Sequence, residues 1–369
     1  MREFRIVVLA GDGIGKEVMA PCLALLESVV ARTGAFRLRF EPYEAGAELF
    51  RRTGVSLPDE VWLAAESADA ILFGAMGLPD VRYPNGTEVL PQIEFRERLD
   101  LYAGVRPLRV LPGAPTPLAD PRARTVDCVL VRESTEGLFA ARSLSRRDGD
   151  EAVYDTMRIS RKTCDRLFTF AFNLARRRAT PARRARVTCV DKANVLPSMA
   201  FFREMFLASA ANYPDVDADC AYVDATALRL VRAPWEFDVL VTENMFGDIL
   251  SDLGAALLGG MGMAPSADIG DRHAVFQPCH GTAPDIVGRG LANPTAMVLS
   301  AAMMLDWLGH RHGVDACDQA AAELTRAVER AFADGSLVPT EVGGTDGTAS
   351  ITARIRTELQ RPVSPGLTA

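Results

Sequence analysis

Short apolar runs that end in glycine or polar residues alternate along this chain with longer amphipathic stretches. "RIVVLAG" passes through "DGIGKE" into "VMAPCLALLESVV". "ADAILFGAMG", "TVDCVLVRES" and "ARVTCVDKANVL" are further strand-like runs, and "FDVLVTENMFGDILSDLGAALL" reads as strand, turn and helix. "SRKTCDRLFTFAFNLARRRA" has apolar positions at three-four spacing, the mark of a helix, and "NPTAMVLSAAMMLDWLG" and "DQAAAELTRAVERAFADG" are two late helices. Strands alternating with helices predict an α/β fold with largely parallel pairing. Such folds gather ligands beyond the carboxyl ends of their strands. Asp12, Arg132, Glu133, Lys192, Glu243 and Asn244 occupy those places and outweigh polar residues on helix faces. The Pro/Gly-rich "RPLRVLPGAPTPLADPRAR" reads as a crossing between domains.

Composition excludes several classes. A length of 369 residues allows one large unit or two to three domains. The net charge of -7 argues against non-specific nucleic-acid binding, which needs a basic surface. No apolar run reaches the roughly 18–20 residues of a membrane span, and "MREFRIVVLAG" is too short and wrongly flanked for a signal peptide. Seven cysteines without CxxC spacing fit a reducing cytoplasm and mostly buried thiols. Four histidines make a histidine-rich zinc site a poor expectation. Of 41 basic residues only Lys16, Lys162 and Lys192 are lysine. Lysine can lose its proton when partly buried and arginine effectively cannot, so a retained lysine is a candidate for proton chemistry.

Several stretches carry chemistry. In "TENMFGDILSD" Asp248 and Asp252 stand one helical turn apart, a repulsive spacing unless a cation or a solvated face resolves it. "CAYVDATALRL" sets Asp224 among apolar residues, either as a helix cap or as a third carboxylate; three carboxylates with substrate oxygens and water suit Mg2+ or Mn2+. Arg96, Arg106 and Arg132 would converge on one anion if the fold joins them, with guanidinium forks gripping carboxylates. "GDGIGKE" lets backbone approach a ligand or is simply a tight turn, since Lys16 stands where GxGxxG needs glycine. In "CHGTAPD" His280, Gly281 and Ala283 offer a close-approach backbone, and Asp285 a carboxylate for a ribose diol.

Taken in order, "GDGIGKEV", "FRERLDLYAGVRP", "VRESTEG", "VDKANVL", "VDATAL", "TENMFGDILSD" and "HGTAPDIVGRGLANP" resemble the β-decarboxylating dehydrogenases, which include isopropylmalate, isocitrate, homoisocitrate, tartrate and D-malate dehydrogenases. The resemblance is closest in pattern to 3-isopropylmalate dehydrogenase. It implies a two-domain α/β fold with a large mixed sheet rather than the usual Rossmann fold. Residues 1–106 plus 257–369 would form an NAD-binding domain holding both termini, and 107–256 a second domain with a homodimer interface. By the same resemblance Asp248 and Asp252, with Asp224 of the other subunit, would hold Mg2+ or Mn2+. Arg96, Arg106 and Arg132 would bind the carboxylates of a malate-type hydroxyacid. Lys192 would act as general base, and Lys192 and Asp224 would serve the other subunit's site. His280, Gly281, Ala283, Asp285, Asn293 and Asn194 would bind NAD. The product would be reached by oxidation and decarboxylation in a cytoplasmic enzyme with no nucleic-acid or membrane partner.

Two departures stand out. Phe139 in "RESTEGLFAAR" occupies a position where the family has a tyrosine that protonates the enolate after CO2 leaves. Either water or another group supplies the proton, with Tyr102 and Tyr154 as candidates, or the enzyme mainly oxidises without decarboxylating, or the chain is a noncatalytic paralogue or regulatory subunit. The segment before Arg96 places Val89, Gln92 and Ile93 where isopropylmalate enzymes build an apolar pocket. Either Gln92 faces solvent or its amide favours a smaller or more polar C3 substituent, as in malate or tartrate, because an unpaired buried amide costs about 1–3 kcal/mol.

Overall fold

The computed structural model describes residues 1–361. Twelve strands are present among them: β1 (Arg2–Gly11), β2 (Phe36–Pro42), β3 (Ala70–Ala75), β4 (Ala103–Arg109), β5 (Asp127–Glu133), β6 (Arg146–Asp148), β7 (Ala152–Tyr154), β8 (Arg186–Asp191), β9 (Asp217–Tyr222), β10 (Val239–Thr242), β11 (Pro265–Ile269) and β12 (Ala274–Pro278). The α-helices are α1 (Gly15–Thr33), α2 (Ala47–Thr53), α3 (Asp59–Ser67), α4 (Pro91–Arg98), α5 (Gly137–Ala140), α6 (Arg161–Arg178), α7 (Pro197–Ala210), α8 (Val223–Arg232), α9 (Asn244–Leu257), α10 (Thr295–His312), α11 (Asp315–Phe332) and α12 (Thr348–Gln360). The fold is α/β with a mixed sheet of ten strands, and β6 and β7 form a separate hairpin.

The chain divides into two compact units. Among the described residues, unit 1 comprises 1–89, 111–115 and 276–361; unit 2 comprises 90–110 and 116–275. The expected boundaries at 106 and 257 are therefore displaced: 90–106 and 257–275 both lie in unit 2. Backbone pairing accounts for this. β4 runs antiparallel to β5 from Ala103↔Glu133 to Arg109↔Asp127, and antiparallel to β11 on its other edge. The chain does visit unit 1 at 111–115, inside the proline-rich stretch read as a crossing.

In unit 1 the strand order is β2-β1-β3-β12, with β2 and β3 parallel to β1. Its core buries Ile6, Leu9, Leu25, Phe73, Leu305 and Phe332. The first βα turn is tight: Gly11 and Gly13 have φ of 78° and 53°, and a Cβ on Gly11 would lie 2.1 Å from the Ala75 carbonyl oxygen. These glycines are required by backbone packed on backbone, which supports the tight-turn reading of "GDGIGKE".

In unit 2 the order is β11-β4-β5-β10-β8-β9. β5, β10, β8 and β9 are parallel, so their carboxyl ends lie on one edge and present Arg132, Glu243, Lys192 and Asp224 at or just beyond them. β10 is buried throughout and reads as a continuous apolar run, as a central parallel strand must. An aromatic cluster backs this sheet, with the ring of Phe168 4.8 Å from Phe202 and 5.4 Å from Phe206. Such pairs add about 0.5–1.5 kcal/mol each beyond burial.

Candidate active site

Unit 2 brings the three arginines together around a carboxylate that sequence reasoning overlooked. Asp268, on β11, is fully buried; Arg96 Nε from the last turn of α4 is 3.1 Å from its Oδ2, and Arg106 Nη2 from β4 is 3.8 Å from its Oδ1. Burial pushes the Asp268 carboxyl up, but Arg96, Arg106 and Arg132 together outweigh it and hold its pKa below the usual value. The only signal in the sequence is one acidic residue inside the short apolar run "APSADIG".

Arg132, buried at the end of β5, donates from Nε (3.0 Å) and Nη2 (2.7 Å) to Asn244 Oδ1 and pairs through Nη1 with Asp248. Asn244 Nδ2 donates in turn to the Glu136 carbonyl oxygen at 2.9 Å. Burial, reinforced by the like charge of Arg96, lowers the Arg132 pKa to about 10. Glu243 caps α9 by accepting from the Phe246 and Met245 N–H groups, and this anchors the helix that carries both acids. Asp252 lies one turn beyond Asp248. Its pKa is raised by burial and by Asp248, against the pull of Arg106 and Arg132. Two hard carboxylates, of which Asp252 has no ion pair among the described residues, are a donor set that fits a divalent cation.

Lys192, just past β8, donates from Nζ to Asp224 Oδ1 at 2.7 Å. That bond lowers the pKa of Asp224, which is exposed at the start of α8. Among the described residues no hydrogen bond or ion pair joins Lys192 or Asp224 to Asp248 or Asp252. By direct bonding the Lys192–Asp224 pair is thus distinct from the Arg132–Asp248 pair.

Phe139, on α5, belongs with the arginines: the Arg132 guanidinium carbon is 5.6 Å from its ring centroid. Neither alternative proton donor does. Tyr102 is buried with Arg166 over its ring at 4.0 Å, and its hydroxyl, bonded to Asp271, has its pKa pushed up to about 12 chiefly by burial. Tyr154 is exposed on β7 under Arg146. Gln92, on α4, is half-buried, and its Oε1 is buried with no hydrogen-bond partner, so it does not simply face solvent. Val89, expected beside it, instead packs in unit 1 against Ala47, Leu78 and Val81.

Other polar residues at strand ends hold backbone rather than offer a free carboxylate. Asp12 accepts from the N–H groups of Ala47, Glu48 and Gly77, and Glu133 from those of Thr135 and Glu136, with burial raising the Glu133 pKa to about 7.

The nucleotide-site candidates follow β12 in unit 1, apart from Asn194, which is exposed after β8 in unit 2. Thr282 ties their loop to the first βα turn: its carbonyl accepts from Ile14 N at 3.0 Å, and its hydroxyl donates to the Gly77 carbonyl at 2.7 Å. Gly281 opens onto free space, and Ala283 has φ of 39°. His280 Nδ1 meets the Gly281 carbonyl at 2.9 Å, and burial lowers its pKa; its Nε2 is buried without a partner, as suits a group awaiting a hydrogen-bonding ligand. Asp285 is exposed. The Asn293 side chain is occupied by Glu341 and the Thr295 N–H, which leaves its backbone for any cofactor contact.

The sequence profile described as isocitrate/isopropylmalate dehydrogenase matches residues 5–356. The chain is accordingly an oxidoreductase, a hydroxyacid dehydrogenase of the decarboxylating class. A Methanocaldococcus jannaschii protein named 3-isopropylmalate/3-methylmalate dehydrogenase is 40% identical over 341 residues, spanning 92% of this chain and 94% of the relative. An isocitrate/homoisocitrate dehydrogenase from Thermus thermophilus is 41% identical over 353 residues, spanning 95% and 97%. The crystal structure of isocitrate dehydrogenase from Methylococcus capsulatus matches with a TM-score of 0.85 at 34% identity, covering 97% of this chain and 100% of that one. The chain belongs to the isocitrate/isopropylmalate dehydrogenase family. No helix among the described residues is long and apolar enough to cross a membrane.

Proposed function

We propose that the protein oxidises and decarboxylates a 3-substituted (2R)-malate-type acid with NAD and a divalent metal. The observation that carries this reading is the buried arginine cluster around Asp268, adjoining the Asp248–Asp252 pair through Arg132. Arginine forks held at fixed positions suit a dicarboxylic acid. When bound, a metal ion would supply Lewis acidity at the substrate hydroxyl and carbonyl, and NAD would accept hydride. Arg96 and Arg106, oriented by Asp268, and Arg132, oriented by Asn244, would bind the carboxylates. Lys192, as the neutral amine, would take the C2 hydroxyl proton at Nζ and become the ammonium, and its bond to Asp224 orients Nζ. Asp285 would favour NAD by repelling a 2′-phosphate.

Lys192 and Asp224 bond each other, and among the described residues no hydrogen bond or ion pair joins them to Asp248 or Asp252, which suits a site completed by a second copy. Exposed Leu228 and Val231 on α8 and Ile249 on α9 give these helices apolar surface that a homodimer would cover. The names of several relatives favour isopropylmalate. The unpartnered Gln92 oxygen favours a second reading, a polar C3 substituent as in tartrate or D-malate.

The test is purified protein with NAD and Mn2+ against isopropylmalate, D-malate, the tartrates, isocitrate and homoisocitrate, following NADH and CO2 separately. Equal yields on one acid support oxidative decarboxylation and identify the substituent. NADH without CO2 means that Phe139 has made the enzyme a plain dehydrogenase. Silence across the panel overturns the substrate class.

A further inference from the structure

Unit 2 holds a second reactive cluster behind Lys192 and Asp224. Cys189 on β8 and Cys220 on β9 are direct register partners in the parallel pairing of these strands. Their sulfurs and an Asp191 carboxylate oxygen all lie within 4.8 Å of one another. Paired neighbouring strands put Cα atoms about 4.8 Å apart, inside the roughly 4.4–6.8 Å that a disulfide spans. Register partners also project to the same face, so the thiols are aimed alike.

The two thiols differ in character. Cys189 is fully buried, and burial raises its pKa well above the ordinary value. Cys220 is half-exposed, and a hydrogen bond from Cys189, aided by Arg203, lowers its pKa despite partial burial. Cys220 is the accessible thiol; Cys189 is its shielded partner. A metal is the weaker occupant for this cluster, because both Asp191 oxygens are already held by Arg203, each at 2.8 Å.

We propose that Cys189 and Cys220 form a peroxide-sensitive dithiol, and that its oxidation to a disulfide suppresses turnover by moving Lys192 and Asp224. The Cys220 thiolate attacks one oxygen of the peroxide; the O–O bond breaks, hydroxide leaves and takes up a proton as water, and Cys220 becomes a sulfenic acid. Cys189 sulfur then attacks the Cys220 sulfur. The S–O bond breaks, the Cys189 proton leaves through Asp191 Oδ2, 3.7 Å from its sulfur, and the hydroxyl departs as a second water. The thiol pair loses two electrons, which reduce the peroxide.

The consequence for turnover rests on the functional reading above; the disulfide does not. β8 ends at Asp191, immediately before Lys192, and β9 ends at Tyr222, two residues before Asp224. Arg203 bridges the two ends, gripping Asp191 and lying over the Tyr222 ring at 4.9 Å. Bringing the two sulfurs from within 4.8 Å to bonding distance shifts the ends of β8 and β9, the places from which the base and the third carboxylate project. A disulfide at the half-exposed Cys220 is open to thiol reductants, as a reversible switch requires.

The experiment exposes the intact enzyme to hydrogen peroxide, then counts thiols after denaturation, maps peptides by mass, and assays activity before and after dithiothreitol. Wild type should lose two of its seven thiols, yield a cross-linked peptide pair containing Cys189 and Cys220, and lose activity by about tenfold or more, as small displacements of reacting groups do. Dithiothreitol should reverse all three changes. Cys220→Ser, at a half-exposed position that tolerates the change, should keep basal activity and resist peroxide; Cys189→Ala should stop at the sulfenic acid. Absence of the cross-linked pair, or equal thiol loss in Cys220→Ser, overturns the proposal. A disulfide that forms without loss of turnover overturns its inhibitory role. Thiol and mass readouts do not depend on any substrate, so failure of the substrate assignment is seen separately.

Discussion

Asp268 and Phe139 show how single residues set the chemistry of the arginine cluster. Asp268 neutralises part of a concentrated positive charge and fixes two guanidinium groups in place. Asp268→Asn should raise the KM for the acid and destabilise the fold by about 3–5 kcal/mol at neutral pH, the cost of removing one partner from a buried ion pair; steady-state kinetics and urea unfolding check both. The sign with pH follows from its lowered pKa. The stabilisation is present above the ordinary aspartate range and is lost as pH falls from there through the lower folded value. Acid should therefore narrow the stability gap between wild type and Asp268→Asn. Phe139 lies against Arg132 without a hydroxyl to donate. Phe139→Tyr should raise CO2 released per NADH formed if proton delivery limits that step; an unchanged ratio would show that water already suffices. The arginines, both aspartates of α9, Lys192 and Asp224 were legible as residues because their local strings are distinctive. Asp268 was not, since an acid in a short strand acquires meaning only from what folds onto it.

At the scale of elements, the approach of α9 to β5 decides where Arg132 points. Gly247 leaves so little room that a Cβ there would lie 2.6 Å from Arg132 Cγ. Gly247→Ala improves intrinsic helix propensity, so α9 should persist by circular dichroism. The displaced Arg132 should nonetheless raise the KM by about tenfold to a hundredfold, as misplacement by an ångström can. Strands and helices followed from their apolar periodicity, and α6 and α9 fall where the sequence places them. Strand direction did not follow: β4 is antiparallel to both of its neighbours. Apolar alternation records burial, whereas direction depends on how the connecting chain returns.

At the scale of the whole molecule, the proposed sharing of the site between two copies predicts that chains complement one another. Lys192→Ala and Asp248→Asn should each be inactive as homodimers. Mixed by reversible denaturation, they should recover about a quarter of wild-type activity: half of the dimers are mixed, and a two-fold dimer of this kind has one intact site in two. No recovery, with mixed dimers verified by mass, would place all four residues in a single chain's site.

The alternation of strand and helix, the family strings and the chemical residue types were determined by sequence alone, because periodicity and local motifs are properties of neighbours along the chain. The tertiary structure decided which of those residues meet. It joined Arg96 and Arg106 through Asp268, gave Arg132 to Asn244 and Asp248, committed Asp12 to backbone N–H groups, buried Val89 in a core, and set Cys189 beside Cys220. Each of these depends on strand register and on helix approach across long sequence separations, where a shift of one residue would turn the same side chain to the opposite face.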